Sequence, residues 1–64
     1  MNASVIPIDK QVACIVREIK MRESVYPRWV QQQRITQDKA DYEIACMRAA
    51  LATLREVEAA NRLI

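Results

Sequence analysis

The chain has 64 residues, a net charge of +2, two Cys, and no Gly, His or Phe. A chain this short forms one domain and buries only about 60% of its unfolded surface, so small folds of this kind lean on disulfides, a metal or oligomerisation. Without His and with two Cys, a tetrahedral zinc site lacks ligands, neither thiol has an imidazole to activate it, and no Gly-rich loop can cradle phosphate. No catalytic residue, cofactor or metal is therefore expected.

Residues 1 to 7 read as a short lead-in. Met1-Asn2-Ala3-Ser4 carries no basic n-region followed by an apolar core, so a secretory signal is not expected. No window approaches eighteen uncharged apolar residues, and a soluble, cytoplasmic protein with reduced thiols is the default expectation. Pro7 suits the first turn of a helix, and Asp9 is the expected N-cap.

A first helix is predicted over about residues 9–33. Val12, Ile15, Val16, Ile19, Tyr26, Trp29 and Val30 recur at three- and four-residue steps, with Ile8 on the same face. The stripe is interrupted where Arg22 and Glu23 fall at apolar positions, so packing there should be looser. Pro27 removes a backbone donor and crowds the carbonyl of Glu23, which predicts a kink or restart near Ser24 to Tyr26.

The break Gln31-Gln32-Gln33-Arg34 is polar and lacks the Gly that often closes a helix. A second helix is predicted over about residues 37–62. Thr36 serves as N-cap, Asp38 favours the positive end of the dipole and Ile35 can staple onto Ala40. Ala40, Ile44, Met47, Leu51 and Leu54 form one stripe, and Cys46, Ala50, Thr53 and Val57 form a second beside it. An apolar face this wide needs two packing surfaces.

The fold expected is all-α: an antiparallel two-helix hairpin, 1–64, whose helices would each span roughly 37 to 39 Å. Two copies would pair into a dimeric four-helix bundle, with Ile44, Met47, Leu51 and Leu54 as the self-association residues. Cys14 and Cys46 would be staggered by roughly 12 Å along the hairpin, too far for a disulfide. Free, partly buried thiols are expected instead.

Residues 1–34 carry six bases and three acids, and residues 35–64 four bases and five acids. The first half is thus +3 and the second −1. Arg17, Lys20, Arg28 and Arg34 form a modest basic surface that nucleic acid or an acidic protein face would fit, although pairs such as Glu18 with Arg22 are ordinary helix surface. Membrane-surface binding is poorly served by a polar face of mixed sign. Tyr26-Pro27-Arg28-Trp29 combines buried area with polar tips, the make-up of an interface hot spot or of a cap on the loop end. Arg48 has no acid among its helical neighbours, and so is either an interface residue or a snorkelling surface side chain.

Val25-Tyr26-Pro27-Arg28-Trp29-Val30, then Thr36-Gln37 and Ala40-Asp41-Tyr42-Glu43-Ile44-Ala45-Cys46-Met47, resemble short, uncharacterised proteins of temperate bacteriophages and prophages. The likeness covers about residues 14–55 and departs from the pattern at Gln32-Gln33, where a loop Gly would be expected. It implies a small protein that binds a host protein, such as a transcription regulator, and modulates or inhibits it. The alternative it implies is an accessory protein of phage DNA metabolism.

Overall fold

The computed structural model describes residues 6–62, so the first five residues of the lead-in lie outside the description. Two helices, α1 (Ile8–Gln31) and α2 (Gln37–Arg62), pack against each other. The described residues hold no strand. The body measures 47 × 24 × 15 Å, a single layer two helices wide. Its radius of gyration of 14.6 Å exceeds the roughly 11 Å of a compact domain of this length.

The start of α1 differs from expectation by about half a turn. Pro7, at φ −58° and ψ 149°, is the N-cap, and it has no side-chain hydrogen bond to offer. Its carbonyl accepts from the amides of Lys10 and Gln11 at 3.1 and 3.2 Å. Asp9 is therefore not the cap but lies in the first turn, where a carboxylate still faces the positive end of the dipole. Gln11 adds a bond from Nε2 to the Ile6 carbonyl at 2.9 Å.

Pro27 does not restart the helix, and α1 runs through it to Gln31. The turn beyond Pro27 is held from the loop side. The amide of Arg34 donates to the Trp29 carbonyl at 2.8 Å and that of Gln33 to the Val30 carbonyl at 3.0 Å. These are the two bonds of a Schellman closure. The closure requires a left-handed residue after the cap, and Gln33 takes it at φ 62°. The loop thus adopts a Gly-like geometry without a Gly.

Thr36 opens α2 as expected. Its Oγ1 accepts from the Lys39 amide at 3.1 Å, and its carbonyl accepts from Ala40 at 3.0 Å. Gln37 Nε2 then donates to Asp41 Oδ1 at 2.9 Å, tying the first turn to the second.

The helices meet along the predicted stripes, but the seam is thin. Only Ile19 and Ala40, at 5% and 4% exposure, are buried among the described residues. Ile8, Val12, Ile15, Val16, Tyr26, Trp29 and Val30 on α1 are half-buried. So are Ile44, Met47, Leu51 and Leu54 on α2. One helix cannot enclose a facing stripe of this width.

Candidate interaction surfaces

Arg22 and Glu23, the interruption in the α1 stripe, are both paired. Arg22 binds Glu18 Oε2 at 2.9 Å within α1, and this carboxylate pushes the guanidinium above its ordinary pKa. Glu23 reaches across the hairpin to Arg48 of α2. Arg48, read from the sequence as an interface residue or a free surface side chain, is therefore engaged within its own chain.

That ion pair marks one side of the hairpin. A groove of about 320 Å³ on this side is lined by Glu23, Tyr26, Pro27, Gln37, Ala40, Asp41 and Ile44, so polar side chains of both helices share it. The opposite side near the open end holds a second groove of about 280 Å³. Ile6, Lys10, Gln11, Cys14, Ile15 and Leu54 line it. One side is closed by charge and the other is mainly apolar.

At the loop end three of the predicted residues come together. The rings of Tyr26 and Trp29 lie 5.6 Å apart at 38°. The Arg34 guanidinium sits 5.0 Å from the Trp29 ring centre, within the range of a cation–π contact. The two rings and the guanidinium cover the last turn of α1, which supports the capping role of the aromatic pair. Both rings stay half-exposed, so they remain open to a partner.

The basic surface is split. Arg17, Lys20 and Arg28 are exposed on α1 and form no ion pair among the described residues. Arg34 lies apart from them on Trp29. In α2, Arg62 has Glu58 at 3.6 Å.

Both thiols are free and exposed, which corrects the expectation of partial burial. Each sits on the flank of its helix rather than on the seam. Cys46 lies one turn from Tyr42, and its interaction pushes the Tyr42 phenol above its ordinary pKa. Tyr42 itself is 69% exposed, with Met21 at 49% and Val57 at 45%. No group of three or more His, Cys, Asp and Glu that would hold a metal occurs among the described residues. No described helix is long and apolar enough to cross a membrane.

Compared with known proteins, the chain matches no family, no curated protein and no solved structure.

Proposed function

We propose that this chain is a non-enzymatic interaction module that acts as a homodimer, two hairpins closing into a four-helix bundle that presents its loop end to a host protein in the cytoplasm and modulates it. The observation that carries this reading is the half-exposed seam. A stripe of Ile, Leu, Met and Val that its own hairpin leaves partly wet gains roughly 25 cal/mol for each Å² of apolar surface a second copy removes from water. A host partner is supported by the likeness to short phage proteins and by the loop-end cluster of half-buried Tyr26 and Trp29 with exposed Arg34.

Sedimentation equilibrium tests the dimer. Wild type is expected at twice the chain mass, and Leu51→Asp, which puts a charge on the half-buried stripe, at the mass of one chain. An equal mass for the two would remove the reading.

A second reading, nucleic-acid binding, is favoured by the unpaired Arg17, Lys20 and Arg28. Capture from lysate on immobilised protein separates the two. A protein retained by wild type and lost with Trp29→Ala supports the host-protein reading. Nucleic acid retained instead, and released steeply as salt rises, would favour the second.

A further inference from the structure

The outer edge of α1 carries a charge pattern that neither the seam nor the loop end uses. At 100° per residue, Lys10, Arg17, Lys20 and Arg28 fall within an arc of about 80°, and all four side chains are exposed. Ile19, the buried residue of α1, stands between about 100° and 180° from each of them. The four cations therefore form a ridge on the side of α1 turned away from α2. From Lys10 to Arg28 the ridge runs about 27 Å at 1.5 Å per residue.

The acids of α1 do not neutralise this ridge. Glu18 holds Arg22 at 2.9 Å, and Glu23 is turned to Arg48 of α2. Asp9, the third acid of the helix, lies in the first turn just outside the arc. Lys10, Arg17 and Arg28 have no acid three or four residues away on either side. No ion pair reaches any of the four cations among the described residues. In a chain whose net charge is +2, one edge thus concentrates four uncompensated positive charges.

What fills the gaps in the ridge identifies the kind of partner. Ala13, Ser24 and Gln31 share the arc and are also exposed. None is large and apolar, so the ridge lacks the anchor that centres a protein interface, where charge is depleted. Lys, Arg, Ser and Gln side chains are instead common donors to phosphate oxygens. A single strand would call for aromatic side chains on which its bases stack. The ridge has none, because Tyr26 and Trp29 lie at least about 100° from every member of it. A helix edge about 10–12 Å across also fits the roughly 12 Å major groove of B-form DNA, whereas the major groove of A-form RNA is too narrow to admit it.

We infer that the outer edge of α1 is a binding site for the phosphate backbone of double-stranded DNA, with Lys10, Arg17, Lys20 and Arg28 as its contacts. The inference rests on the nucleic-acid reading above and gives that reading a site. Arg34 is not part of it, since that guanidinium sits on the Trp29 ring at the loop end. Each phosphate contact releases counterions, so four of them make the logarithm of the affinity fall with that of salt at a slope of about −3.6. Between about 50 and 200 mM salt the affinity should then drop about 150-fold.

Fluorescence anisotropy of a short labelled duplex of mixed sequence, titrated with the full chain across that salt range, tests the site. Arg17→Gln and Arg28→Gln in one chain are expected to bring the slope to about −1.8 and to weaken binding at low salt more than about tenfold. Arg17→Lys with Arg28→Lys keeps both charges and should restore the wild-type slope. Arg55→Gln, which removes an exposed cation of α2, should leave the slope unchanged. A wild type that binds neither duplex nor single strand in a salt-dependent way would overturn both the site and the nucleic-acid reading. Duplex binding that the double Gln variant leaves intact, or that Arg55→Gln weakens as much, would overturn the site alone. Tighter binding to a single strand, to duplex RNA or to polyglutamate than to duplex DNA would overturn the choice of DNA, the last in favour of an acidic protein.

Discussion

Gln33 shows most directly how a single residue can carry a cost for the shape of its element. Its φ of 62° lies in the left-handed region, where a side chain crowds the backbone by about 1–2 kcal/mol and Gly does not. The position is occupied because the Schellman closure needs it, and the closure is worth two backbone bonds, Arg34 to Trp29 and Gln33 to Val30. Where Schellman closures commonly place an apolar side chain against the last turn, this chain places Arg34 on the Trp29 ring. Gln33→Gly removes the crowding but frees the unfolded backbone. The balance is expected to stabilise the fold by about 0.5–1 kcal/mol, read as a higher urea midpoint with unchanged slope, whereas Gln33→Ala should give no gain. A lower midpoint for the Gly variant would contradict the cost assigned to this residue.

At the scale of the helices, most of the fold was legible and the exceptions have local causes. The 3.6-residue spacing of apolar side chains placed α1 and α2 to within two residues, and Thr36 announced its helix because a hydroxyl just ahead of a helix-periodic run can accept from the amide three residues on. Pro27 offered a restart that α1 does not make, because that rule concerns an isolated helix. Here the turn beyond it is fixed by the Schellman bonds, by the Tyr26–Trp29 contact and by Arg34, so α1 continues with one donor missing. Asp9 misled for the opposite reason. Pro7 already sets the φ of the chain at the entry to α1, and the helix begins before the aspartate can cap it. The Glu23–Arg48 pair was half-visible: an arginine without a helical acid and an acid at an apolar position are each unsatisfied alone. Joining them needs the hairpin register, which propensity does not supply and the turn does.

For the whole molecule, the decisive quantity is how little the two helices bury. With only two buried side chains among the described residues, the apolar surface removed from water must be set against an ordering cost of about 1–2 kcal/mol per residue for the backbone alone. A hairpin that leaves its seam half-open has a thin margin by itself. The second copy then contributes folding free energy, not only an interface, and stability becomes a function of protein concentration. The midpoint of thermal unfolding should therefore rise as the chain is concentrated over two orders of magnitude. A wild-type midpoint independent of concentration would mean that the single hairpin is the folding unit. The half-exposed Ile44, Met47, Leu51 and Leu54 would then be a surface held ready for a different protein.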